Sequence, residues 1–201
     1  MASTTYDPAT ALIVVDMQND FSHSDGSLFV DGGDTLLDPI NAEIAAARSG
    51  GGVVVLTQDW HPASTPHFVP DGGVWPVHCV AGTWGAELVD GLDPDHAASA
   101  VIRKGTNGED GYSAFSMREP GGDVDIPTGL AGLLRDRNVT RVVVCGLATD
   151  VCVAATALSA AEAGFDTSVL WDAARPVDTS DETRDRVSGD LRAASVAIVS
   201  G

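Results

Sequence analysis

The sequence is short of positive charge. Lysine and arginine together number 11 against 29 aspartates and glutamates, a formal net charge of −18. A surface that negative repels nucleic acid and anionic lipid, which argues against both as partners but does not forbid a local anion site. Long apolar runs are missing too: none approaches the roughly 20 residues of a membrane span. The opening MASTTYDPAT has neither the basic nor the apolar stretch of a signal peptide. Cysteine is scarce. Cys79, Cys145 and Cys152 are an odd number with no framework spacing and no C-x-x-C pair. This points to a reduced, cytoplasmic protein, not a disulfide scaffold or a redox or metal-storage protein. Repeats, low-complexity tracts and linkers are absent. What remains is a chain of 201 residues, 44% hydrophobic, which fits one domain (1–201) with a substantial core.

Short β-branched runs alternate with Ala/Leu-rich stretches. The runs are Ala11–Val15, Val53–Thr57, Ala100–Arg103, Arg141–Cys145, Thr167–Trp171 and Ser195–Val199. They are apolar on both faces, which suits strands buried between helix layers. Helices are expected at Pro39–Ser49, before a glycine run, and at Thr128–Arg137. Two more are expected at Val151–Ala163, ending at Gly164, and at Asp181–Ala194, with Ser180 as N-cap. The alternation predicts an α/β fold with a parallel sheet. One connection, Gln58 to Ser99, is long and rich in Pro, Gly, His and Trp, as functional loops are.

Four of the runs end in chemically capable residues: Asp16, Asp59, Lys104, and Cys152 beyond Leu147-Ala148-Thr149-Asp150. In a parallel sheet these ends share one edge, where open α/β folds bind ligands. Singly, each has an ordinary explanation: an aspartate shapes a turn, a cysteine fills a core, a lysine is solvated. Together, carboxylate, ammonium and thiol are what nucleophilic amide cleavage needs. Cys152 would attack as thiolate, favoured by Lys104 and by the helix start, with Thr149 or Asp150 as its cap. Asp16 would take the thiol proton and later pass it to the leaving ammonia. Backbone N–H groups near Ala148 and Cys152 would hold the oxyanion. The long loop adds a second group: Asp59, His61, His67 and His78, three of the chain's five histidines within twenty positions. Mixed imidazole and carboxylate donors suit one divalent transition metal, Zn, Fe or Mn, better than Mg or Ca. His23 and His96 read as surface residues.

These segments resemble a known family. VVDMQNDF (14–21), TQDWHPASTPHF (57–68), WPVHCVAGTWGAEL (75–88), RKG (103–105), YSAF (112–115) and GLATDVCVAATA (146–157) are similar to the nicotinamidase and pyrazinamidase branch of the isochorismatase-like hydrolases. The resemblance implies a three-layer fold with a six-stranded, mainly parallel sheet flanked by helices. It implies Asp16, Lys104 and Cys152 as a catalytic triad and Asp59, His61, His67 and His78 around the metal. It implies Phe21, Trp75 and Tyr112 as walls for a flat aromatic amide, and a cis bond at Leu147–Ala148. The reaction would be hydrolysis of nicotinamide, and of pyrazinamide, to the acid and ammonia through a thioester, in NAD salvage. A homo-oligomer is compatible with it. Trp84, where relatives commonly have proline, and the acidic segment Asn107–Asp110 depart from the pattern near the expected mouth of the site. The rival within the family is a hydrolase of N-carbamoyl amines or isochorismate-type vinyl ethers. Outside it, the rival is a non-catalytic interaction module, against which the intact triad argues.

Overall fold

A computed structural model describes residues 5–92, 99–119, 122 and 124–200; His96 lies outside them. A six-stranded parallel sheet runs through the centre in the order β3-β2-β1-β6-β7-β8. Its strands are β1 (Thr10–Val15), β2 (Val53–Asp59), β3 (Ala100–Lys104), β6 (Arg141–Leu147), β7 (Asp166–Arg175) and β8 (Ala197–Val199). A separate hairpin, β4 (Ser116–Arg118) with β5 (Asp125–Pro127), is antiparallel.

Alternate residues of the central strands feed two cores. On one face Ala11, Ile13, Val55, Val142 and Val144 pack with Leu130 and Leu134 of α3 (Leu130–Asp136), Ala157 and Ala160 of α4 (Ala154–Glu162), and Val187 and Leu191 of α5 (Asp181–Ala193). On the other, Leu12, Val14, Val54, Leu56 and Val143 pack with Ile40, Ile44 and Ala47 of α2 (Leu37–Ser49), which follows the one-turn α1 (Asn19–Ser22). Those three residues, spaced by four and three, form the single apolar stripe of an amphipathic helix. Both faces of β1 are therefore dry, and its six residues are all buried. The outer strands differ. Ala100–Arg103, expected to be apolar on both faces, alternates between half-buried and exposed because β3 is an edge strand with a neighbour on one side only; Lys104 at its end is buried. The short β8 closes the other edge. Ser180 caps α5 as expected, accepting from the Thr183 N–H at 3.2 Å. Among the described residues, no helix is long and apolar enough to cross a membrane.

One contact between strand entry and helix gives a pH prediction. The buried Tyr6 hydroxyl donates to Glu43 Oε2 of α2 at 2.6 Å. Burial first, and the Glu43 hydrogen bond second, hold its pKa above the ordinary tyrosine value. A raised folded-state pKa means stability that is fully present below about pH 10, the unfolded value, and lost as pH rises beyond it. Replacing Tyr6 with Phe should cost about 1 kcal/mol at neutral pH and flatten the alkaline decline in denaturant midpoint. An equally steep decline in Tyr6→Phe would place the alkaline sensitivity elsewhere.

Candidate functional site

The sheet brings its chemically active residues to one edge. Asp59 and Lys104 are paired in the β2–β3 register, and Asp16 follows β1 beside them. Asp16 has a positive φ of 48°, a left-handed conformation that aspartate tolerates better than most residues. Its carbonyl accepts the Gln18 N–H at 2.8 Å. The carboxylate is fixed by Thr57, whose hydroxyl accepts from the Asp16 N–H at 3.1 Å and donates to Oδ1 at 2.5 Å. Lys104, 1% exposed, sends Nζ between two carboxylates, 2.6 Å from Asp16 Oδ2 and 2.9 Å from Asp59 Oδ1. The same nitrogen lies 3.5 Å from Cys152 Sγ.

Cys152 arrives by a different route. At the end of β6, Gly146 has φ 109°, and a Cβ there would collide with the Val15 backbone, so only glycine lets β6 lie this close to β1. The Leu147–Ala148 bond is cis. Next comes a π-helical turn, Thr149–Val153, in which the Val151 and Val153 N–H groups both donate to the Ala148 carbonyl. This turn replaces the first turn of the helix expected from Val151, and α4 begins at Ala154. The expected cap is absent: Asp150 instead accepts from the Val177 and Asp178 N–H groups, at 2.8 and 2.9 Å. Burial opposes the bias toward thiolate expected from Lys104 and the helix start. Burial pushes the Cys152 thiol well above its usual range; Lys104 pulls it down, but less strongly. Burial likewise raises the Asp16 carboxyl despite Lys104, with the nearby Asp59 adding to the rise. For Lys104 burial acts downward, but Asp16 and Asp59 outweigh it and hold the ammonium charged. Burial thus works against charge on both Cys152 and Asp16, and the Lys104 ammonium works for it.

Three histidines meet Asp59 from its other side. Asp59 Oδ2 is 3.8 Å from both His61 Nε2 and His78 Nε2. Ring nitrogens of His61, His67 and His78 all lie within 4.8 Å of one another, and the three side chains are buried. His78 Nδ1 faces the Pro76 carbonyl at 2.7 Å, and His67 Nδ1 faces Asp110 Oδ1 at 2.7 Å. Both rings thus use Nδ1–H as a donor and turn Nε2 inward. His61 has both ring nitrogens buried with no hydrogen-bond partner among the described residues. Buried polar atoms are rarely left so. Gly105, φ 76°, passes so close that a Cβ would sit 2.5 Å from His61 Nδ1. Two donors each about 2.0–2.2 Å from one ion can be at most about 4.4 Å apart, so the 3.8 Å separations fit shared coordination. The donor set suits a transition-metal ion.

Both groups open on one cavity, which Asp59, His67, His78, Ala148 and Cys152 line. Phe21, Trp75 and Tyr112 form its aromatic side, and Trp75 Nε1–H donates to the Tyr112 hydroxyl at 3.0 Å. Beside Leu147 and Val151, the apolar lining includes Leu28, Val30 and Val177. Sequence reasoning missed these three, and also Thr57, Gln18 and Asp110. Gln18 is visible in VVDMQNDF, but nothing local shows that its side chain takes both the N–H and the carbonyl of Asp59. Trp84, expected near the mouth, is half exposed, rests edge-on against His23 and does not line the cavity. His23 is itself about half exposed.

The fold and site together define a three-layer α/β protein with a Cys–Lys–Asp group and an Asp–His₃ cluster on one sheet edge. Residues 10–200 match the isochorismatase domain. The chain belongs to the isochorismatase family. It is 41% identical to the nicotinamidase/pyrazinamidase of Mycobacterium tuberculosis, over 94% of this chain and 97% of that one. Among solved structures it is similar to L. infantum PnC1 in complex with nicotinate, at 42% identity and TM-score 0.88, covering 98% and 96% of the two chains. The pyrazinamidase of Pyrococcus horikoshii in complex with zinc is 37% identical, with TM-score 0.84 and coverage of 96% and 100%.

Proposed function

We propose that residues 1–201 form a single metal-dependent amidase domain that hydrolyses nicotinamide, and pyrazinamide, to the acid and ammonia, in NAD salvage. The observation that carries the reading is Lys104 Nζ, within 2.6 Å of Asp16 and 3.5 Å of Cys152, on a cavity with aromatic walls. The kinship with nicotinamidases supports it. Cys152 Sγ attacks the amide carbon while its proton passes to Asp16. Burial raises the Asp16 carboxyl, which makes it a better proton acceptor than an ordinary aspartate. Lys104 keeps the charges of the pair compensated throughout. The N–H groups of Ala148 and Cys152 face the developing oxyanion. The C–N bond then breaks, and Asp16 returns the proton to the leaving nitrogen as ammonia. Water attacks the thioester, giving its proton to Asp16; the C–S bond breaks, and Asp16 returns that proton to Sγ, restoring the thiol and its own carboxylate. Phe21, Trp75 and Tyr112 hold the flat ring, as aromatic pairs gain about 0.5–1.5 kcal/mol beyond area burial. Asp59, His61, His67 and His78 would hold Zn, Fe or Mn, a Lewis acid that supplies a contact for the pyridine nitrogen.

Benzamide, which keeps the ring and amide but lacks the ring nitrogen, tests this reading. A site built to engage a polar group rejects the analogue lacking it strongly, so kcat/KM for benzamide should fall by at least ~100-fold relative to nicotinamide. Equal turnover of the two would refute ring reading by the metal group. Turnover of an N-carbamoyl amine or isochorismate-type ether, with none of nicotinamide, would overturn the assignment.

A further inference from the structure

His67 differs from the other two clustered histidines in one respect: its outer nitrogen meets a charged partner. Asp110 Oδ1 lies 2.7 Å from His67 Nδ1, and the same oxygen accepts the Gly111 N–H at 2.8 Å. The His67 side chain is 5% exposed and that of Asp110 is 54% exposed, so the carboxylate reaches inward from the surface to a buried ring. Its backbone does not hang free. Asp110 and Arg118, at the end of β4, exchange two backbone hydrogen bonds, of 2.8 and 2.5 Å, in an antiparallel bridge. The β4–β5 hairpin therefore anchors the carboxylate from outside the sheet. His78 relies on a neutral carbonyl two residues away, and both nitrogens of His61 lack partners among the described residues.

We propose that Asp110 is a positioning residue of the metal group: it fixes His67 as the Nδ1–H tautomer and turns Nε2 toward the point that His61 and His78 face. This rests on the reading of the histidines as metal donors. The physical reason is general. A metal-bound imidazole is oriented, and made more basic, by the acceptor on its other nitrogen, and losing that acceptor costs about 10–100-fold in metal affinity. Asparagine at 110 keeps an acceptor oxygen in nearly the same place and removes the charge. Alanine removes both.

The test is zinc affinity, measured on metal-stripped full-length protein by competition with a chromophoric chelator. Asp110→Ala should weaken zinc binding about 10–100-fold, and Asp110→Asn should recover most of that loss. His67→Ala serves as the reference for losing the donor entirely. Nitrogen-15 shifts of His67 in the zinc-loaded wild type should report Nδ1 protonated and Nε2 ligated. The proposal is overturned if Asp110→Ala binds zinc within about twofold of wild type while His67→Ala does not; the carboxylate is then a surface ion pair only. If His67→Ala itself binds zinc like wild type, His67 is no donor, and the fault lies in the underlying reading of the metal group. Zinc affinity alone separates these two outcomes, with no activity measurement required.

Discussion

Replacing Cys152 with alanine should abolish ammonia release from nicotinamide and leave the fold standing. Loss of the nucleophile removes the thioester path, and on the scale of nucleophile deletions kcat should fall on the order of 10⁴–10⁶-fold. Stability should change by only about 1 kcal/mol, because the side chain is small and its thiol contributes one weak contact, to Lys104 at 3.5 Å. Lys104→Ala and Asp16→Ala should each cost nearly as much activity as Cys152→Ala. Combining them should add little, since the three act as a unit. The two variants should differ from Cys152→Ala in stability. Lys104 is the buried counter-charge of both Asp16 and Asp59, and breaking a buried ion pair costs about 3–5 kcal/mol. Ammonia release and urea midpoints on the three single variants measure both quantities. Comparable turnover by Cys152→Ala would exclude it as nucleophile.

Chelation should have the second large effect. With Asp59 and the three histidines as donors, stripping the metal would leave three buried imidazoles without that partner. An ion that binds only the folded state at about 1,000 times its Kd adds about 4 kcal/mol, which for a domain of this size corresponds to roughly 10 °C in Tm. Wild-type protein should lose about that much on treatment with a strong chelator, and its turnover of nicotinamide should fall with it. His61→Ala should show no further shift, because it lacks the donor already. It should even match the stripped wild type in stability, since it no longer buries two unpartnered ring nitrogens. An unchanged Tm in chelated wild type, with the metal confirmed absent by elemental analysis, would show that the cluster is not a metal site.

The meeting of Asp16, Asp59, Lys104 and Cys152 is legible in the sequence because strand ends are legible. Runs such as Val53–Thr57 carry apolar residues on both faces, as strands covered on both sides do. The rule that parallel strands share an edge then does the rest. The burial of β3 is overstated by its apolar run, because sequence does not show which strand lacks a neighbour. The hairpin escapes because three-residue strands leave too few positions for a period to emerge. The π-helical turn at Thr149–Val153 has no composition of its own, and from sequence it looks like the first turn of an ordinary helix. The burial that opposes a thiolate at Cys152 is hidden for a similar reason. A lysine and a helix start can be read off a sequence, but the depth of burial that outweighs them cannot. Thr57, Gln18 and Asp110 act through partners 41 or 43 positions away, beyond the reach of any local pattern.

Gln18 shows what such a distant partner achieves. The β1–β2 ladder ends at the Val14–Leu56 pair, short of both site aspartates. Beyond that point side chains join the two segments: the Thr57 hydroxyl holds Asp16, and the Gln18 amide holds Asp59. Gln18 Oε1 accepts from the Asp59 N–H at 2.8 Å, and Nε2 donates to the Asp59 carbonyl at 2.7 Å and to the Ala86 carbonyl at 2.8 Å. The side chain imitates a rung of the sheet where the backbone no longer provides one, and it reaches the long loop as well. Asp16 and Asp59 are thereby set on a common mechanical joint. The segment that follows Asp16 is thus tied to the Asp59 backbone and to the loop at Ala86 through a single residue, Gln18.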